Sequence, residues 1–545
     1  MLHLNKTISS FDALELPDDG VPVSLRRKMV RDPIAGYIIL SEIERKLIDL
    51  PIFQRLRRLH QLQTAFLVYP GAEHTRFQHS LGVMHLAGKF AVALIRRTYG
   101  FRKTTIQHIE IPDLSSLGIE DMRDIYSYLL GVRIAGLFHD IGHGPFSHAF
   151  DEAIVSKSEE LRKRNVFSHE DIGYFIYKNY LREIIESLLN KLDKDRKLYI
   201  NKDILLKTLD YILAPRRLIK PLSTQVEPII RAFRHILREF IYPADILDFV
   251  ARDSYYTGAR EYGMVDVDRL LQFSVITTSI EFKELVTPDI ALFDNALNTL
   301  RAYLMSRFWL FNNVYFHKFS RIMDYAVQQM LKYSAQENCI DFADAIISIL
   351  ESGDVSKYQL LDDYYVTYRA LEGKRSAKYA KMILYRKPPL KEIFYHEIHM
   401  PIDHKVDLEV EEEPLDKVIT EIRDILSEKM QVSSNEIIVD YPPIRFFPDN
   451  PYLPGRSLIV LFMRGDYPVD YREYTVRDAT AGMALDMTVL RIFIDASVAD
   501  TITKKFYERS LRDYIHEELK KTKLLTRFTN ALLLEYGQRE YGVTM

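Results

Sequence analysis

Hydrophobic residues recur at three- and four-residue steps through most of the first 335 positions, the period of helices that bury one face. "HTRFQHSLGVMHLAGKFAVALIRRTYG" places Leu81, Met84, Phe90 and Leu94 at that spacing, and Gly100 stops the helix just after Arg96 and Arg97. "IYSYLLGVRIAGLFHD" is apolar nearly all round, which predicts a buried central helix. "SKSEELRKRN" from Ser156 reads as a solvated loop or exposed helix end, and Pro288 to Ala335 as long helices rich in aromatics. The pattern then changes. "DHKVDLEVEEEPLD" is an acidic linker or edge. "LDKVITEIRDILSEKM" is an amphipathic helix with Leu415, Val418, Ile419, Ile422, Ile425 and Leu426 on one face. "NEIIVDY" and "RSLIVLFMRG" read as strands around the proline-rich loop "YPPIRFFPDNPYLPG". The chain is thus expected to be mainly α. A helical domain spans 1–335, its segment 1–40 preceding the helical core, and a smaller α+β lobe spans 336–545. The boundary falls between about 335 and 390.

Composition changes this picture little. The chain has 545 residues, 47% apolar and 27% charged, as soluble globular proteins do. A net charge of −3 argues against nucleic-acid binding through overall charge, though not against a local basic groove. Cys339 is the only cysteine, which excludes an intrachain disulfide and a zinc–cysteine cluster and suits a reducing cytoplasm. The first twenty residues lack a signal-type apolar run, and no apolar stretch approaches the ~20 residues of a membrane span, so no membrane partner is expected.

The candidate chemistry lies in "GLFHDIGHGPFSHAFD", residues 136–151. His139 and Asp140 are adjacent, and adjacent helical residues point about 100° apart, so they reach one ion only at a helix end. Gly142 and Gly144-Pro145 end the helix there. His79 in "RFQHSLGV" and Asp245 in "YPADILDFVARD" are the candidates for two further ligands. Two imidazoles and two carboxylates suit one divalent ion: Mn, Fe, Zn, Co or Mg. His143 and His148 stand past the break, where imidazoles serve proton transfer. Asp151, three residues after His148, is placed on a helix to orient that imidazole and favour its charged form. His60, His85 and His317 read as ordinary structural histidines, and Glu170 as a helix-start residue.

An upstream His, an adjacent His-Asp and a distal Asp match the signature of the HD-domain phosphohydrolases. The chain resembles the HD-domain dNTP triphosphohydrolases in particular, the mammalian sterile-alpha-motif-and-HD enzyme type and its prokaryotic relatives, without the sterile-alpha-motif segment. "RDPIAGYI", "LIDLPIFQRLRRLHQL", "YPGAEHTRFQHSLGV", "AGLFHDIGHGPFSHAFD", "FSHEDIG", "DILDFVARD" and "RFWLFNNVYFHK" occur in the family's order. The resemblance implies an HD helical bundle with a smaller C-terminal α+β lobe. It implies metal ligands His79, His139, Asp140 and Asp245, with His143, His148, Asp151 and His169 in catalysis. It implies release of a deoxynucleoside and intact triphosphate. Substrate contacts match Gln61 and Asp253 on the sugar 3′-hydroxyl, Leu62 against the sugar, Arg76 on phosphate, and Arg307 and Tyr315 on phosphate and near the sugar. A bulky Leu and an aromatic ring against C2′ would exclude a ribose hydroxyl.

Three positions depart from the family: Ile246 stands for a phosphate-binding lysine, Phe249 for the tyrosine under the sugar, and Phe316 for a glutamine. Phe249 can stack but not hydrogen-bond. Loss of the lysine removes one charge on a triphosphate and keeps open a broader HD phosphatase or nucleotidase. A nucleotide- or single-strand-binding regulator is a third reading, weighed against by the intact ligand set. Lys28, Asp49, Gln54 and Arg57 match the family's regulatory nucleotide site at a subunit interface, which implies GTP or a dNTP as effector and a homo-oligomer, dimer or tetramer. The same residues also read as an exposed basic helix face.

Overall fold

A computed structural model of the chain describes residues 16–22, 25–194, 200–222, 226–279, 288–400, 413–444, 458–474, 486–505 and 510–541. The chain is mainly helical. It divides into two compact units that are interleaved rather than cut at 335. The first takes Met1–Ser306, Val327–Ala380 and Leu458–Tyr474, and the second takes Arg307–Ala326, Lys381–Ser457 and Thr475–Met545. Most of the acidic stretch and most of the proline-rich loop lie outside the described residues.

In the first unit, β1 (Arg26–Asp32) and β2 (Gly36–Ser41) form an antiparallel hairpin. Four short strands follow: β3 (Thr104–Ile106), β4 (Ile109–Ile111), β5 (Ser274–Ser279) and β6 (Pro288–Phe293). "SVITTS" is rich in β-branched residues that favour a pleated surface, and "PDIALF" is too short to show a period. The stretch opening at Pro288 is therefore a strand, and the long helices begin only at Leu297. Two later strands complete this sheet. With β7 (Leu390–Met400), β8 (Ile437–Asp440) and β9 (Pro443–Ile444) between them in sequence, β10 (Leu458–Arg464) pairs parallel to β6 and antiparallel to β11 (Tyr467–Tyr474). The sheet order is β11-β10-β6-β5-β4-β3. Val275, Ala291, Phe293 and Leu461 bury its face, which is why "LIVLF" belongs to this unit.

The second unit carries the α+β motif expected of the C-terminal lobe. β12 (Asp486–Asp495) lies between β7 and β8, and β9 also pairs with it. The helix Leu415–Met430 buries Leu415, Val418, Ile419, Ile422 and Leu426 as its periodicity predicts, with Ile425 partly buried.

Four helices of the first unit build the candidate site: α1 (Arg76–Gly100), α2 (Met122–Phe138), α3 (His169–Ile176) and α4 (Ala244–Thr257). A capping box between Thr75 and Gln78 starts α1, and Asp121 caps the N-terminus of α2. Glycines set how closely these helices approach. A Cβ on Gly136 would lie 3.1 Å from the Met84 Cα, and one on Gly82 would lie 2.0 Å from Asp248 Oδ1. One on Gly142 would lie 2.1 Å from the His169 carbonyl oxygen. Thus Gly136 seats α2 on α1, Gly82 seats α4 on α1, and Gly142 lets the turn after α2 meet α3.

Gly142→Ala must displace backbone, so it should destabilise the protein by about 1–3 kcal/mol in thermal or denaturant unfolding. Gly100 has open space around the same added methyl. Gly100→Ala should therefore change stability by no more than about 0.5 kcal/mol.

Candidate metal centre

Helix α2 ends at Phe138, so His139 and Asp140 sit in the first residues beyond its last turn. His79 faces them from α1 and Asp245 from the first turn of α4. The His79 Nε2 lies 3.3 Å from His139 Nε2, 3.0 Å from Asp245 Oδ1 and 3.7 Å from Asp140 Oδ2. His139 Nε2 lies 3.3 Å from Asp140 Oδ1 and 3.6 Å from Asp245 Oδ1. Donors that share one ion at about 2.0–2.2 Å stand roughly 3 Å or a little more apart. His79, His139 and Asp140 are buried, and Asp245 is partly exposed.

The outer nitrogens decide what the inner ones offer. His79 Nδ1 donates to Asp248 Oδ2 at 2.9 Å, and His139 Nδ1 donates to the Gly136 carbonyl at 2.8 Å. Both Nε2 lone pairs therefore turn inward, toward each other and two carboxylates, and only a cation satisfies that arrangement. A proton is the alternative. Burial opposes the imidazolium of His79, but hydrogen bonds and charge from Asp245 and Asp248 outweigh it and push the pKa up to about 10. Burial likewise opposes charge on Asp140 and Asp245, yet His139, Arg76 and His143 hold the Asp140 carboxyl, and His139 and His79 the Asp245 carboxyl, below the usual range. The donor set fits a divalent ion.

Asp248 and Arg252 support the candidate ligand His79 and were not singled out in the sequence. Arg252 is fully buried between Asp248 and Asp32, at 2.8 Å from each. The spacing in "DILDFVARD" carried the signal. Asp245 and Asp248 are three apart and Asp248 and Arg252 four apart, on one helix face.

A second cluster adjoins the first. His143 Nε2 lies 3.4 Å from Asp140 Oδ1, and the His143 ring stacks on His169 with centroids 3.6 Å apart and planes 16° off parallel. His148 meets both rings edge-on, at 5.2 and 5.5 Å. Imidazole lone pairs lie in the ring plane, so the lone pairs of two near-parallel stacked rings cannot converge on one ion.

Asp151 corrects an expectation. It hydrogen-bonds His169 Nδ1, not His148. His148 opens a three-residue helical turn, which passes at Asp151 into a π-helical turn ending at Val155 and swings the carboxylate toward α3. Nor is His148 biased toward its charged form. The protein packed around it, with His169 and Arg76 near, pulls its pKa down to about 4, although the ring reaches solvent. Burial, Arg76 and His169 also hold His143 well below the usual range.

Arg76 is buried and donates to Asp140 and, at 2.7 Å, to Ser147 Oγ. Gln61 donates its backbone N–H to the His74 carbonyl at 3.0 Å, while its side-chain Oε1 is buried without a hydrogen-bond partner. Leu62 and Phe249 are half-buried, and Ile246 is buried. Asp253 accepts from His74 Nε2 at 2.7 Å, and the His74 ring stacks on Tyr256. Arg307 and Tyr315 belong to the second unit, where Phe311 lies against both. Lys28 and Asp49 are exposed, with Asp49 3.6 Å from Arg45. Gln54 donates to the Ile48 carbonyl, and Arg57 donates to Gln54 and lies 3.5 Å over the Phe77 ring.

The turn between α2 and His148 is held from behind. Arg55 donates to the carbonyls of Ile141, His143 and Leu361, and Tyr358 donates to the Gly142 carbonyl at 2.7 Å.

The HD domain family model matches residues 76–214, and the HD associated region matches residues 265–450. The chain is 28% identical over 381 residues to the deoxynucleoside triphosphate triphosphohydrolase SAMHD1 homolog of Dictyostelium discoideum, covering 67% of this chain and 63% of that protein. It is 30% identical over 310 residues to the SAMHD1 enzyme of Homo sapiens, covering 54% and 43%. It is 28% identical over 317 residues to an uncharacterized protein of Methanocaldococcus jannaschii, covering 58% and 52%. The chain thus spans about half the length of the curated relatives it matches. A hypothetical protein from Aquifex aeolicus shares the fold, with a TM-score of 0.59 and 22% identity over 88% of this chain and 99% of that one. Among the described residues no helix is long and apolar enough to cross a membrane. The candidate ligand residues His79, His139 and Asp140 lie inside the segment that matches the HD domain family model, and the chain is similar to proteins named as deoxynucleoside triphosphate triphosphohydrolases.

Proposed function

We propose that the chain is a metal-dependent phosphohydrolase acting on deoxynucleoside triphosphates, releasing deoxynucleoside and triphosphate. The convergence of two inward Nε2 lone pairs with Asp140 and Asp245 carries this reading. His79, His139, Asp140 and Asp245 would hold a divalent ion, which would supply Lewis acidity toward a phosphate oxygen and lower the pKa of a water. Arg76, buried beside Asp140, provides positive charge for a phosphate. With its pKa held below the ordinary imidazole value, His148 begins as a proton acceptor in this reading. A phosphate beside it favours the imidazolium, which makes it a proton carrier once substrate is bound. Asp151 orients His169, and His169 stacks under His143. The buried Gln61 Oε1 is an unpaired acceptor that a sugar hydroxyl would satisfy, beside Leu62. Phe249 and Asp253 complete the substrate contacts in this reading.

Buried Ile246 favours the second reading, a broader HD phosphatase or nucleotidase, because it offers no charge to a triphosphate tail. Product analysis of a dNTP and NTP panel with manganese separates the two. Triphosphate as the product from dNTPs supports the first reading, and orthophosphate released from many esters supports the second. Asp140→Ala should abolish turnover and lower bound metal. His148→Ala should slow turnover by roughly 10²–10⁴ with metal content unchanged. Turnover and metal loading unchanged in Asp140→Ala would contradict the site.

Regulation is part of the proposal. Lys28, Asp49, Gln54 and Arg57 take GTP or a dNTP between copies of the chain, and the nucleotide shifts the population toward an assembled, active homo-oligomer. Asp49→Ala with Arg57→Ala should abolish nucleotide-dependent assembly in sedimentation while leaving hydrolysis by assembled protein intact. A wild-type protein whose assembly and rate ignore added nucleotide would refute this part.

A further inference from the structure

His60 is buried one residue before Gln61, and the mechanism above does not use it. Both its ring nitrogens meet carboxylates: Nδ1 lies 2.8 Å from Asp363 Oδ2 and Nε2 lies 2.9 Å from Glu73 Oε2. Ionised carboxylates only accept, so a ring bonded to two of them carries both protons. The ring also stacks on Phe66, with centroids 4.6 Å apart.

Asp363 opens helix α5 (Asp363–Ala370) and does more than hold the ring. Its Oδ2 accepts the His60 backbone N–H at 2.8 Å, and its Oδ1 accepts the Phe146 N–H at 2.7 Å. Phe146 and Ser147 have φ of 55° and 54°, a region that L side chains rarely adopt. Such a pair persists only where its surroundings fix it. Here the fixing groups are Asp363 on Phe146 and Arg76 on Ser147. The next residue is His148. On the other side of the carboxylate, the segment Leu59–Gln61 pairs with His74–Arg76, through Gln61 N–H to the His74 carbonyl and Arg76 N–H to the Leu59 carbonyl. One carboxylate therefore joins the backbone that carries Gln61 to the turn that presents His148.

We propose that Asp363 and His60 are positioning residues that hold the Phe146–Ser147 turn in register with the Gln61 segment, Glu73 closing the relay. The kinetic consequence rests on the hydrolase reading, and the stability consequence does not. The relay responds to pH. Burial disfavours charge on His60, but hydrogen bonds and charge from Asp363 and Glu73 outweigh it, so its pKa is raised. The other groups around it are Tyr364 on α5, with its ring 5.8 Å away, and Arg58, already paired with Asp362. Because the folded value is raised, the contribution to stability is complete below the ordinary pKa of ~6.5 and is lost as pH rises through the folded value.

The test compares the full-length wild-type protein with His60→Gln, Asp363→Asn, the double variant and His60→Lys. Thermal unfolding from pH 6 to 9, bound manganese, and kcat and KM for the best nucleotide are measured. His60→Gln and Asp363→Asn should each lower kcat about 10- to 100-fold with manganese content unchanged. The double variant should be no worse than the poorer single one, because both act through one relay. The wild-type melting temperature should fall toward pH 9, and that of His60→Gln should not fall with it. His60→Lys keeps a cation between the carboxylates, so it should restore most of kcat and remove the alkaline decline. Parallel pH curves for wild type and His60→Gln, or strictly additive effects in the double variant, would overturn the relay. A wild-type protein that hydrolyses no nucleotide would instead refute the hydrolase reading, and the unfolding curves would still judge the relay.

Discussion

The hydrogen bond from His79 Nδ1 to Asp248 is the constraint on which the rest of the centre depends. It fixes which nitrogen of His79 faces the other ligands. Asp248 can perform this only because Arg252 neutralises it, and Arg252 is in turn shared with Asp32. A buried carboxylate without such a partner would tend to take up a proton and release the histidine. Gly82 completes the arrangement, since any side chain there would occupy the space of Asp248 and Arg252. Five residues of three segments thus act as one unit, and its output is a single lone pair.

The neighbouring cluster obeys a different logic. Its stacked rings and depressed pKa values suit neutral groups that wait for an anion, not ligands that hold a cation. The backbone that presents them is bonded from behind by Arg55, Tyr358 and Asp363, two of which lie in the HD associated region. That region has a direct physical role in the first unit: it fixes one carbonyl and one N–H of the turn between Asp140 and His148.

Much of this was legible in the sequence. The candidate ligand residues could be named because imidazoles and carboxylates beside glycines and a proline have few other uses. The helices around them could be named because their periodicity is long. What was not legible depends on distance along the chain. Asp363 meets Phe146 across more than two hundred residues, and a buried Arg55 looks, in "QRLRRLHQL", like part of a solvated basic face. Asp151 was misdirected because helical spacing was assumed where a π-helical turn occurs. Strands β5 and β6 were missed because short apolar runs show no period, and the return of β10 and β11 to the first unit is a tertiary choice that no local pattern encodes.

The central claim is that these residues form a divalent-metal centre whose His79 ligand is oriented by Asp248. Its most direct test is the manganese content and affinity of purified wild-type protein and Asp248→Asn, with folding checked by circular dichroism. Asparagine keeps the shape and an acceptor but removes the charge. The account predicts about one ion per chain in the wild type and roughly 10- to 100-fold weaker binding in a folded Asp248→Asn variant. Equal affinity in the two proteins, or a wild-type protein that binds no divalent ion, would contradict it.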